Sequence, residues 1–181
     1  MSKKNLRKKI LEERKKKYSK FNSINFKYIF KEIKKFKKTN ILIGGYYPVN
    51  YEMDCLKILK ELEIRRFKIS LPVIKKNRKM NFHNWSFSAP LKLSKYGIPE
   101  PLTSKIVKPD IILIPLVAFD KKLFRIGYGG GYYDRYLSKI KKNKKILSIG
   151  LAFSFQEVKK IFPNIYDQKL DIILTEKKTL R

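Results

Sequence analysis

The chain is predicted to form an α/β domain around a mostly parallel sheet. Three observations predict it. Short apolar runs with the length of buried strands alternate with segments of helical spacing, the pattern of βαβ units. The run at residues 110–119 is nearly all apolar, as in a strand covered on both faces. Directly behind that run, four of the chain's 8 glycines fall between Gly127 and Gly131, where an open parallel sheet presents its ligands.

The elements follow in order. Residues 4–18 read as a basic helix with Leu6, Ile10 and Leu11 on one side, and with Lys3 and Arg7 a turn apart. Phe26, Ile29, Phe30, Ile33 and Phe36 recur at about 3.6-residue spacing and predict a second helix. Ile41-Leu42-Ile43 is a short buried strand stopped by Gly44-Gly45. Pro48 disfavours helix at Tyr47 and makes residues 46–50 a loop. Helical spacing resumes over residues 51–63 through Cys55, Leu56, Leu59 and Leu62. Residues 67–74 alternate like a strand ending near Pro72. Met80, Phe82, Trp85 and Phe87 suggest a hairpin within the less regular residues 75–109, and residues 96–101 read as a turn-rich connector. After the strand at 110–119 and the glycine loop, a helix is expected at 132–140, a strand at 146–153, a short helix at 155–162 and a last strand at 170–174.

Composition bounds the function. A chain of 181 residues, 43% hydrophobic and 13% aromatic, can bury a core as one domain over residues 1–181 and is not composed like a disordered chain. No apolar run approaches the ~18 residues of a membrane span, and no signal-peptide core follows the basic start. A cytoplasmic protein without membrane partners is expected, and a monomer. One cysteine, Cys55, and one histidine, His83, exclude an internal disulfide and a Cys/His zinc site within the chain, and both read as structural. The balance of 44 Lys+Arg against 15 Asp+Glu gives a net charge of +29. That excess fits compositional drift, since Lys, Ile, Asn, Phe and Tyr are enriched together, combined with a moderately anionic ligand. A dedicated nucleic-acid surface is disfavoured, because the lysines are scattered and no RNA- or DNA-binding motif is present.

The glycine loop carries the chemistry. It lacks the Gly-Lys-Ser/Thr ending of a P-loop, and Tyr132 takes the place of the last glycine of a dinucleotide fingerprint counted from Gly127. Its backbone amides could still cradle phosphate oxygens, with Arg125 adding a forked charge; the alternative is a tight strand-to-helix turn. Asp134, in the first turn of the next helix, is either a helix-dipole partner or a hard oxygen ligand for Mg²⁺. Glu52 is either an N-terminal dipole partner or a pocket carboxylate that grips ligand donors. Tyr128, Tyr132 and Tyr133 either stack on an aromatic ligand or belong to the core, and Asp167 and Asp171 read as turn or cap residues.

Taken with Tyr46-Tyr47-Pro48 and Glu52-Met53-Asp54, Leu71-Pro72, Tyr96-Gly97-Ile98-Pro99-Glu100-Pro101, Pro115, Phe119-Asp120 and Tyr166-Asp167 with Leu170-Asp171 and Thr175-Glu176, the loop resembles the signature of the 5-formyltetrahydrofolate cyclo-ligase family. The resemblance covers almost the whole chain and includes the basic start Lys3-Lys4-Asn5-Leu6-Arg7. It implies a three-layer α/β/α fold. It also implies an ATP- and Mg²⁺-dependent closure of 5-formyltetrahydrofolate to 5,10-methenyltetrahydrofolate through a phosphorylated formyl group, with release of ADP and phosphate. By the same resemblance Lys3, Lys4, Asn5, Leu6, Arg7, Arg125, Ile126, Gly127, Tyr128, Gly129, Gly130, Gly131, Tyr132 and Tyr133 match the nucleotide site. Arg7, Tyr47, Glu52, Tyr128, Gly129, Gly130, Gly131 and Tyr132 match the folate site, Asp134 and Asp167 the Mg²⁺ positions, and Arg125 and Tyr132 are the candidate catalytic residues. Some relatives carry basic residues where this chain has Tyr128 and Gly130, so phosphate charge falls to Arg125, Lys3, Lys4 and Mg²⁺. A threonine is expected at the position of Cys55. The basic surface suggests that the folate is taken in polyglutamylated form.

Overall fold

The apolar run beginning at residue 110 supplies the middle of the fold. In the computed structural model, which describes residues 2–18, 24–75 and 78–181, Ile111–Pro115 is a central strand of a large sheet. Met1 of the basic start and residues 76–77 of the irregular stretch lie outside the described residues. In chain order the elements are α1 (Lys3–Lys17), α2 (Phe26–Lys35), β1 (Leu42–Gly44), α3 (Cys55–Ile64), β2 (Lys68–Ile74), β3 (Met80–Trp85), β4 (Leu91–Leu93), β5 (Pro99–Pro101), β6 (Ile106–Val107), β7 (Ile111–Pro115), β8 (Ala118–Phe119), β9 (Arg125–Ile126), α4 (Tyr132–Ile140), β10 (Leu147–Leu151), β11 (Ile172–Leu174) and β12 (Thr179–Leu180).

The main sheet runs β12-β11-β10-β7-β1-β2-β3-β6 among the described residues. Its middle, β11-β10-β7-β1-β2, is parallel, and the edges β3, β6 and β12 are antiparallel. Alternation along β7 separates the two faces. Ile111 and Leu113 pack with Ile29, Ile33, Leu59 and Leu62 of α2 and α3. Ile112 and Ile114 pack with Leu137 and Ile140 of α4. The expected helix–sheet–helix layering therefore holds. Helix α1 stands apart from both faces: its Ile10 joins Val117, Ala118, Ile126 and Ile161 in a third cluster beside the β8–β9 hairpin.

Five local expectations are corrected. The strand expected over 110–119 breaks after Pro115; Val117 then donates to the Ile126 carbonyl (2.7 Å), and β8 pairs with β9. The strand β2 continues through Pro72 to Ile74, because parallel β1 accompanies it only as far as Ser70, so Pro72 sits where that side is free of a ladder. The connector at 96–101 closes a hairpin: β5 pairs with β4, and Gly97 takes φ 70° in the turn. The helix expected at 155–162 reduces to one 3₁₀ turn, Ser154–Gln156. Beyond it, Val158 N–H reaches the Phe119 carbonyl (2.8 Å) and Ile161 N–H the Asp120 carboxylate (2.9 Å), so tertiary partners take the donors a helix would use. Helix α3 also starts later than residue 51, at Cys55: Asn50 and Tyr51 have positive φ, and Asp54 caps the helix by accepting from Lys57 N–H (3.2 Å).

Candidate functional site

A cleft of about 1150 Å³ opens beyond the carboxyl ends of the parallel strands, reached by Tyr46, Tyr47 and Glu52 after β1, Pro115 at the end of β7, and the loop behind β9. This is the position a doubly wound sheet gives its ligands.

The glycine loop forms one wall, and its glycines have separate reasons. Gly129 has φ +101°, a conformation side chains avoid, and the Arg7 guanidinium lies over it. Gly131 has φ +64° and starts α4. At Gly130 an added Cβ would stand 2.6 Å from the Tyr132 ring, so any side chain there would have to displace that ring. Gly127 is different: nothing lies within 4 Å of an added Cβ, so protein packing does not require it. The loop's carbonyls are held by cations. Arg7 Nε donates to Gly127 O (2.7 Å), and Arg135 donates to Gly130 O (2.7 Å) and to Arg78 O. The N–H groups of residues 127–130 have no protein acceptor among the described residues.

The floor carries ion pairs. Buried Arg125 donates to Asp134 Oδ1 (2.8 Å) and to the Gln168 carbonyl (2.7 Å), and Gln168 N–H returns to Asp134 Oδ1 (3.0 Å). Burial pulls the Arg125 guanidinium down from its ordinary value, and Asp134 opposes that pull. Lys3 pairs with Asp167 Oδ2, which also accepts from Asn164 N–H (2.7 Å). Each aspartate thus spends one oxygen on protein partners and keeps the other, Asp134 Oδ2 and Asp167 Oδ1, without one among the described residues.

The opposite side is more apolar. Glu52 is 3% exposed; Oε2 accepts from Val49 N–H (2.9 Å), and Oε1 has no hydrogen-bond partner among the described residues. Burial pushes this carboxyl up to about 7, against the Val49 hydrogen bond and the Arg14 charge. Tyr46 OH donates to the Met53 carbonyl (2.8 Å) and fixes the turn that carries Glu52. Cys55 and His83 are buried, as expected of structural residues: burial pushes the Cys55 thiol well up, and His83 Nδ1 meets the Thr103 carbonyl (2.7 Å).

The cleft gathers Lys3, Arg7, Tyr47, Glu52, Arg125, Ile126, Gly127, Tyr128, Gly129, Gly130, Gly131, Tyr132, Tyr133, Asp134 and Asp167. Lys4 and Asn5 are exposed outside its lining, and Leu6 packs in the third cluster. Sequence reasoning missed Tyr96, whose hydroxyl meets that of Tyr132 (2.9 Å), and also Arg135, Gln168 and Arg14. For Arg14 a signal existed: it lies one turn beyond Ile10 on the buried stripe of α1, where a charge is out of place.

These features define a class: an enzyme of α/β architecture with unshared glycine-loop N–H groups, ion-paired carboxylates and a buried acid around one cleft. The family model for the 5-formyltetrahydrofolate cyclo-ligase family matches residues 1–176, and the chain belongs to that family. It is 35% identical over 139 residues to the 5-formyltetrahydrofolate cyclo-ligase of Haemophilus influenzae, covering 73% of this chain and 74% of that one. The enzyme of that name from Escherichia coli K12 is 31% identical over 143 residues, 75% of this chain and 78% of its own. The solved structure of 5,10-methenyltetrahydrofolate synthetase from Aquifex aeolicus superposes with a TM-score of 0.76 at 28% identity, covering 100% of this chain and 93% of that one. That of the Mycoplasma pneumoniae synthetase superposes with a TM-score of 0.71 at 25% identity, over 97% and 99%. No described helix is long and apolar enough to cross a membrane.

Proposed function

We propose that this enzyme closes 5-formyltetrahydrofolate to 5,10-methenyltetrahydrofolate at the expense of ATP, with Mg²⁺, releasing ADP and phosphate. The observation that carries the reading is convergence: α1, the turn after β1, the glycine loop and the loop before β11 all bring family-signature residues to one cleft.

The residues fit the groups they would hold. The unshared N–H groups at 127–130 suit phosphate oxygens, with the N-terminus of α4 and the charges of Lys3, Arg7 and Arg125 behind them. The unpartnered oxygens of Asp134 and Asp167 suit a hard cation that takes its remaining ligands from phosphate and water. ATP supplies the phosphoryl group that makes the formyl oxygen a leaving group. The chain's own part is positional and electrostatic. Glu52 Oε1, buried and unpartnered, gains a partner when a folate N–H donor enters. Tyr47 and Tyr128 add aromatic walls, and Tyr132, held by Tyr96, borders the loop beside them. Arg125 braces Asp134 against the 166–168 loop and supplies positive charge beneath the phosphates.

Mixing protein, Mg·ATP and 5-formyltetrahydrofolate is expected to generate the near-ultraviolet absorbance of the methenyl product. Folded protein that gives no ATP-dependent absorbance change would refute the reaction.

A further inference from the structure

Lys3, Arg7 and Arg14 share one stripe of α1, since steps of four and eleven residues return close to the same azimuth. Lys3 meets Asp167 and Arg7 meets the Gly127 carbonyl. Arg14 is the member without an obvious reason. It is 1% exposed, and a guanidinium that deep ordinarily needs a carboxylate in contact. None of the ion pairs among the described residues includes it. Its NH1 donates to the Leu116 carbonyl (3.2 Å), its NH2 to the Tyr128 hydroxyl, and its carbon lies 5.7 Å from the Tyr128 ring centre; Nε has no partner among the described residues. Glu52, also buried with an unpartnered oxygen, is the carboxylate whose charge Arg14 and Tyr128 favour. The other groups acting with Glu52 are Tyr46 after β1, Cys55 of α3 and Tyr133 of α4, all with burial holding their neutral forms.

We propose that Arg14 is a positioning residue of the cleft: it ties Tyr128 of the glycine loop to the end of the central strand and supplies the charge that lets Glu52 meet a ligand donor as a carboxylate. The glycine loop and the buried acid then answer to one residue from α1. Its consequence for catalysis rests on the cyclisation reading; the electrostatic coupling does not.

The test is a ¹³C-carboxyl NMR titration of Glu52 in the wild type, Arg14→Met, Arg14→Lys and Tyr128→Phe, with Michaelis constants for both substrates and a thermal melt of each. Arg14→Met is expected to raise the Glu52 midpoint by at least one pH unit. It should raise the folate KM about tenfold at pH 7, while the ATP KM changes less than threefold. Arg14→Lys, which keeps the charge but not both bonds, should hold the midpoint and recover part of the KM. Tyr128→Phe should raise both midpoint and folate KM with the fold intact. An unchanged midpoint in folded Arg14→Met overturns the proposal, as does an equal loss for both substrates. If Arg14→Met does not fold, an unchanged midpoint and folate KM in Tyr128→Phe overturn it. The titration needs no turnover, so a wild type inactive in cyclisation would refute the reaction while the coupling is still decided.

Discussion

Glu52 has too little water and too few donors for an ordinary carboxylate. Its folded value near 7 lies above the ordinary 4.5, so the native state holds a proton that the unfolded chain has already released between those values. Its stabilising contribution is complete below about pH 4.5 and is lost as pH rises through 7. Glu52→Gln removes that titration. Urea unfolding at pH 5 and pH 8 should show the stability gap between the two proteins shifting by about 3 kcal/mol in favour of the variant at the higher pH; a constant gap would contradict the raised value. Asp134 makes a different prediction, because it is tied both to Arg125 and to the proposed cation. Asp134→Ala should lower turnover on the order of 100-fold and shift the Mg²⁺ dependence to higher concentration. Normal turnover at low Mg²⁺ would remove the metal assignment.

At the scale of elements, the glycine loop divides into positions the protein needs and one it does not. Gly129→Ala forces a side chain into φ +101° and toward Arg7, so about 1 kcal/mol or more of stability should be lost along with ATP affinity. Gly127→Ala meets open space and should leave the melting temperature unchanged, yet raise the ATP KM if phosphate approaches the backbone there. Equal ATP KM values for Gly127→Ala and wild type would move the phosphate elsewhere on the loop. This loop was legible because its glycines are contiguous, and β7 because both faces are apolar. The break after Pro115 was not: Leu116, Val117, Ala118 and Phe119 are as apolar as the strand before them, and only their tertiary partners separate them. The helix expected at 155–162 failed for the same reason, since its donors go to Phe119 and Asp120, residues distant in sequence. Within the site, Lys3, Arg7, Glu52 and Asp167 were found through motif resemblance. Arg14, Arg135 and Gln168 act through backbone carbonyls and a tyrosine hydroxyl, contacts that leave no local pattern in the sequence.

For the whole molecule, the question is whether a net charge of +29 serves the cleft or only reflects composition. The cleft's lining includes Arg135, Lys139 and Lys142 on and just beyond α4, and among the described residues Lys139 and Lys142 have no carboxylate partner. An anionic tail leaving the cleft along α4 would meet these cations, and each added glutamate would gain a screened, salt-sensitive attraction. A polyglutamylated 5-formyltetrahydrofolate should therefore show a lower KM than the monoglutamate, with the difference shrinking as salt rises toward 0.5 M. Lys139→Glu with Lys142→Glu should abolish the difference while leaving the monoglutamate KM within about fivefold, because an exposed charge pair contributes at most ~1 kcal/mol. Equal KM values for the two folates in the wild type at low salt would detach the charge from the substrate. The lysines would then be a solvated surface, and retention on an RNA column should vanish near physiological salt, since diffuse charge without a dedicated surface gives only the weak, steeply salt-dependent binding of counterion release.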